Sequence, residues 1–252
     1  MSNKFYYDTE GNDDAAYSFA MQYASKIANN DMDIERIVLL SHTNHNTGWF
    51  DRLFGRETVK QLLRGIKFED CRVIYQFVSK ARYKNQSFKN QDIVICCALD
   101  SEDILKLDEM ESTRYIIAIP WLKADIVKWV KTWNAIEISG KSDGIKISEP
   151  SEIVKIAMKE LTESINMSTG IGHSSDNDRA KTYIRTLYKY ENELNADTVG
   201  AYLVRELNWK PSNSKEIEYL INKLNQGSYF KGGDKTGLKY HYKRWQEKVK
   251  NK

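Results

Sequence analysis

Apolar residues in the first ~140 positions fall into short runs separated by stretches of helical spacing, the pattern of alternating strands and helices. Lys4 to Tyr7, Ile34 to Leu40, Arg72 to Val78, Asp92 to Ala98, Arg114 to Ile119 and Ala135 to Ile138 read as strands. After the first, Ala16, Phe19, Ala20, Tyr23, Ala24 and Ile27 recur on one helix face, with Asn12 or Asp13 as N-cap. A second helical stretch ends near Arg64 and turns Val59, Leu62, Leu63 and Ile66 inward, and others cover Asp103 to Met110 and Ala124 to Trp133. Ser79 to Gln91 is basic and aperiodic, and reads either as a short helix or as an exposed loop. The strands are continuous apolar runs, so the expected fold is a Rossmann-like α/β sheet, mostly parallel and covered on both faces.

Past the turn-forming stretch Gly140-Lys-Ser-Asp-Gly144 the period becomes helical throughout. Five stripes follow: Val154 to Ile165, Ala180 to Tyr188, Val199 to Leu207, Ile217 to Leu224 and Leu238 to Val249. The expected organisation is therefore a Rossmann-like domain over residues 1–145 and an all-helical C-terminal domain over 146–252. Helices across Asp197 to Asn208 and Ser214 to Gln226 invite comparison with a helix-turn-helix. Their connector, Trp209 to Asn213, is longer than that motif uses, which favours a plain helical hairpin.

Composition adds limits. With 252 residues, 41% hydrophobic and 29% charged, the chain has ordinary globular values. No apolar run approaches the ~18 residues of a membrane span, and the start lacks the apolar segment of a signal peptide, so a cytoplasmic location is expected. Cys71, Cys96 and Cys97 form neither a CxxC pair nor a disulfide framework and read as buried, reduced thiols. The net charge of +3 is unevenly placed. From Lys231 onward Lys231, Lys235, Lys239, Lys243, Arg244, Lys248, Lys250 and Lys252 face only Asp234 and Glu247, interleaved with Tyr240, His241, Tyr242 and Trp245. Lys239, Lys243 and Arg244 are thus candidates for contact with a nucleic acid, the alternative being a solvated terminal helix. Lys181, Arg185 and Lys189 share another helix face.

In an open parallel sheet, ligands bind beyond the carboxyl ends of the strands. The loop Ser41 to Trp49 carries Ser41, His42 and His45, groups able to hold a phosphate, bind a metal or move a proton. Asp100 and Ser101 follow the fourth strand and either bind a ligand or cap the next helix. Asp8, Glu10 and Asp14 follow the first strand and supply the oxygen ligands Mg²⁺ would need in a phosphoester hydrolase. That loop departs from the D-x-D-x-T/V pattern of haloacid dehalogenases at Glu10 and Asn12. Neither G-x-G-x-x-G nor a P-loop occurs, which excludes a standard dinucleotide or P-loop NTPase site.

The most distinctive linear stretch is Asn166-Met-Ser-Thr-Gly-Ile-Gly-His-Ser-Ser-Asp176, just ahead of a helix. Its small residues let a ligand approach the backbone, and free amides at the helix start favour anions, although Asp176 would repel a phosphate. With the later Asn208-Trp209 turn, it resembles a segment of uncharacterised bacterial proteins of similar length. That resemblance brings no chemistry with it and implies only that His173, Ser174 and Asp176 merit testing. The resulting expectation is a binding module for a nucleotide or phosphorylated ligand whose basic helical region contacts a partner, nucleic acid or protein. The alternatives are the Mg²⁺-dependent hydrolase and a scaffold without a small-molecule site.

Overall fold

The short apolar runs become the strands of one seven-stranded sheet in the computed structural model, which describes residues 3–11, 13–43, 48–83, 91–140 and 143–251. They are β1 (Lys4–Tyr6), β2 (Arg36–Ser41), β3 (Ile66–Lys67), β4 (Ile74–Ser79), β5 (Asp92–Cys97), β6 (Thr113–Ile119) and β7 (Ile136–Glu137). Their order is β3-β4-β2-β5-β6-β1-β7, and every pairing is parallel except that of β3 with β4. Strand alternation puts Ile37, Leu39, Ile93 and Ile95 on one face and Val38, Leu40, Val94 and Cys96 on the other. Both sets are buried, so neither face of the central strands meets water, and the fold is the expected mostly parallel α/β type.

The helices of this part are α1 (Asp14–Asn30), α2 (Gly48–Phe54), α3 (Arg56–Arg64), α4 (Lys80–Tyr83), α5 (Ser101–Leu107) and α6 (Lys123–Trp133). Asp13 caps α1 by accepting from the Ala16 amide at 3.1 Å, and Ala16, Ala20, Ala24 and Ala28 let the helix lie close on the sheet. Two sequence expectations need correction. The stretch ending at Arg64 is two helices, because Gly55 at φ 80° interrupts the i to i+4 ladder. Ile66 does not extend the α3 stripe: Gly65, at φ 96°, ends the helix and Ile66 pairs with Tyr75 across β3 and β4.

The remaining helices are α7 (Glu152–Glu163), α8 (Ser174–Tyr190), α9 (Ala196–Leu207), α10 (Pro211–Asn225) and α11 (Leu238–Lys250). They share a core of their own that includes Ala157, Met158, Leu161, Ile184, Leu187, Leu203, Ile217, Ile221 and Trp245. The α9–α10 connector is shorter than the sequence suggests, only Asn208-Trp209-Lys210. Asn208 leaves α9 in the left-handed conformation, at φ 57°, and Pro211 starts α10 at its first position, where its missing N–H costs nothing. Trp209 fills the turn, buried, and donates its indole N–H to Thr162 Oγ1 at 2.8 Å.

By packing, the chain divides into two compact units, Met1–Val130 with Asn134–Ile145, and Lys131–Trp133 with Lys146–Lys252. The three cysteines are buried free thiols, and burial holds Cys96 far above its ordinary pKa. No described helix is long and apolar enough to cross a membrane.

Candidate anion-binding groove

In the helical unit, α10 ends at Asn225 with Gln226 as its C-cap, and Gly227, at φ 73°, turns the chain into an irregular segment that returns along α8. Side chains of α8 hold that segment in place. The Arg185 guanidinium donates to the carbonyls of Phe230 and Gly232 and lies 4.5 Å from the centre of the Phe230 ring. Asp178 accepts from the Gly233 amide at 2.9 Å, and Thr182 Oγ1 from the Asp234 amide at 2.7 Å. Glycine is required at the crossing: Gly232 sits at φ 87°, and a Cβ there would lie 2.3 Å from Asp178 Oδ1.

On the other side, the Asn166 to Asp176 stretch folds onto α8 and α10. Buried Asp176 turns back to accept from the Asn166 amide at 3.3 Å, and Asn177 Nδ2 donates to the Ile171 carbonyl at 3.2 Å. Gly170, at φ 58°, is pressed against Asn213 of α10, whose Cγ would lie 2.8 Å from a Cβ.

Between these walls runs an open groove of about 700 Å³. Ile171 and Leu220 give it an apolar floor, while Lys181, Lys215, Lys223 and Lys231 surround it with Glu216 as the one acidic lining residue. Tyr219 and Tyr229 stand at its rim, 57% and 87% exposed, and Lys223 Nζ lies 5.0 Å from the Tyr219 ring centre. A concave surface carrying four ammonium groups focuses a positive potential. Lysine is a compact, freely rotating point charge, suited to phosphate oxygens rather than to bidentate reading of one group.

Of the residues singled out from the sequence around α8, Ile171, Gly172 and Lys181 reach the groove, whereas His173, Ser174, Arg185 and Lys189 are not among its lining residues. His173 is the N-cap of α8 and makes no cap bond with its side chain, its Nδ1 lying 3.0 Å from Ser175 Oγ. Lys239 and Lys243 are exposed on α11. Arg244 turns inward to an ion pair with Glu160, which also accepts from Tyr183 at 2.5 Å and Lys248 at 2.9 Å.

The sheet edge gathers a different set. His42, just past β2, and Lys80, just past β4, converge on buried Asp103, at 3.6 and 2.5 Å, with Lys106 also 3.6 Å away. Desolvation disfavours the Asp103 anion, but the Lys80 hydrogen bond and the surrounding cationic charge prevail and hold its pKa below the ordinary value. Ser41 donates to the Thr43 carbonyl at 2.8 Å, and His45 lies outside the described residues. Asp100 caps α5 by accepting from the Asp103 amide at 2.9 Å. Buried Ser101 ties α5 to α6, donating to the Asp125 carbonyl at 2.7 Å and accepting from the Trp129 amide at 3.1 Å.

The acidic residues after β1 do not converge. Asp8 pairs with Lys123 at 2.9 Å, Asp14 with Arg52 at 2.5 Å, and Glu10 accepts from the Lys123 amide at 3.4 Å. Asp100 is two strands away, because β6 separates β5 from β1, a spacing of roughly 9.5 Å. Among the described residues, no three His, Cys, Asp or Glu side chains are grouped to hold a metal ion.

Sequence reasoning missed Lys215, Tyr219, Lys223 and Tyr229, and marked Lys231 only as the start of the basic C-terminal run, not as a member of this groove. A signal was present: Lys215, Tyr219 and Lys223 stand four apart on α10, opposite its apolar stripe.

These features define a chain with a Rossmann-like α/β unit and a separate helical unit bearing a basic, aromatic-rimmed groove. Residues 150–246 match the family model described as a domain of unknown function (DUF1889), a segment that contains every groove residue. No curated protein and no solved structure matches the chain.

Proposed function

We propose that this protein binds a phosphate-bearing ligand, such as a nucleotide, in the groove between α8, α10 and the Tyr229–Lys231 segment. The observation that carries this reading is the convergence of Lys181, Lys215, Lys223 and Lys231 on an apolar floor with exposed tyrosine rings beside it. The ammonium groups neutralise phosphate oxygens, while the floor and rings accept a base or another flat group. The sheet edge supports the same role less well, because Lys80, Lys106 and His42 already surround the Asp103 carboxylate. The hydrolase reading draws no support from carboxylates paired with Lys123 and Arg52.

Isothermal titration calorimetry with ADP and with inorganic tripolyphosphate tests the proposal. Both are expected to bind, and Lys181→Gln with Lys231→Gln should weaken each by about tenfold or more, the ~1.4 kcal/mol expected when a charged hydrogen bond is lost. Absence of binding, or affinity untouched by the two substitutions, would overturn it.

A further inference from the structure

We infer that the ligand of this groove is a single strand of nucleic acid, held with bases stacked on Tyr219 and Tyr229 and with its backbone on the flanking lysines. The inference rests on the phosphate-binding reading above and names the ligand class. Two observations carry it, one inside the groove and one beyond it.

Along α10, Tyr219 stands between Lys215 and Lys223, each four residues away, so cation, ring and cation follow one another at steps of roughly 6 Å. On the facing wall Tyr229 precedes Lys231. Tyr219 and Tyr229 are largely exposed and offer ring surface for stacking, Tyr219 with Lys223 Nζ 5.0 Å from its ring centre, whereas Phe230 between Tyr229 and Lys231 is only half-exposed and has the Arg185 guanidinium 4.5 Å from its ring centre. Alternating cations and exposed rings match a chain in which phosphates and bases alternate, and stacking asks for no particular base. A duplex keeps its base faces stacked within itself and could not use these rings.

The basic character also continues out of the groove. From Lys231 the chain runs along α8, held by Asp178 and Thr182, and enters α11, so Lys235 on the irregular segment and Lys239 and Lys243 on α11 follow the groove residues along the chain. All three are exposed, and Lys239 and Lys243 share one face of α11. A mononucleotide would engage only one end of this series. The neighbouring Arg244 and Lys248 belong to Glu160 instead and lie outside the proposed track.

The test measures fluorescence anisotropy of a labelled thymidine 12-mer, of a duplex of equal length and of labelled ADP, all with the full-length protein. The strand is expected to bind more tightly than the duplex or ADP. Tyr219→Ala with Tyr229→Ala should cost about tenfold or more in strand affinity, as loss of stacking does, while Tyr229→Phe, which keeps the ring, should bind like wild type. Lys239→Gln with Lys243→Gln should reduce the salt dependence of strand binding by roughly 1.4 in slope and leave ADP binding unchanged. Unaltered circular dichroism spectra of these variants establish that they fold.

If ADP binds in the lysine groove but the strand binds no better, or if the tyrosine substitutions leave strand affinity intact, the strand inference fails and the phosphate reading survives. Equal affinity for the duplex would also overturn the inference. If none of the three probes binds, both readings fall together.

Discussion

Arg36 and Asp92 start adjacent parallel strands and meet in the interior, the guanidinium donating to both carboxylate oxygens at 3.1 and 2.6 Å and to Gln76 at 2.8 Å. Burial pushes the Asp92 carboxyl up, and the Arg36 bonds act against that. Removing one partner strands the other charge, so Arg36→Ala is expected to destabilise the α/β unit by about 3–5 kcal/mol, read from urea unfolding. His241 sits beside Tyr183, Tyr240 and Trp245, and desolvation lowers its pKa from 6.5 despite the opposing charge of Asp234. Its protonation therefore favours the unfolded chain: its contribution to stability is complete above about pH 6.5 and is lost as pH falls through the lower folded value. Melting followed at about pH 7.5 and about pH 5 should show a lower Tm in acid, and His241→Phe should reduce that difference.

Helices and strands were legible wherever burial imposed a period. Strands β2, β5 and β6 announced themselves as apolar runs, and α1 as a regular alanine-rich face closed by Asp13. The two-residue strand β3 was not legible, because Ile66 continues the spacing of α3 and only the backbone reversal at Gly65 removes it from the helix. Close approaches between helices were equally silent. Gly200 of α9 faces buried Glu218 of α10, and a Cβ there would lie 2.0 Å from Oε1 and 2.8 Å from Cγ. Helix propensity alone would make Gly200→Ala stabilising by about 1 kcal/mol. Overpacking costs about 1–3 kcal/mol, so the net expectation is a lower Tm in thermal unfolding. Glu218→Ala in the same chain should relieve part of the loss, since the clash is with its side chain.

Each unit has its own buried cluster, one built on the sheet and α1, the other on α7 to α11. Residues 146–252 expressed alone are therefore expected to give a helical circular dichroism spectrum and one cooperative thermal transition; a non-cooperative melt would contradict the independence of that core. The sequence by itself determined the α/β and helical halves, the parallel character of the sheet and the burial of the cysteines, because hydrophobic periodicity is a local property of the chain. It also marked Asn166 to Asp176 and the basic C-terminal run as unusual. Only the tertiary structure decided which residues share a groove. Lys181, Lys215, Tyr219, Lys223, Tyr229 and Lys231 are spread over fifty positions. They become neighbours through the turn at Gly227, the Arg185 clamp and the glycine crossing over α8. Other tertiary contacts gave Arg244 to Glu160 and Ser101 to the α5–α6 junction. Whether a charged or hydroxyl side chain binds a ligand or braces the fold depends on which partners the packing brings within hydrogen-bond distance, and those partners are remote in sequence.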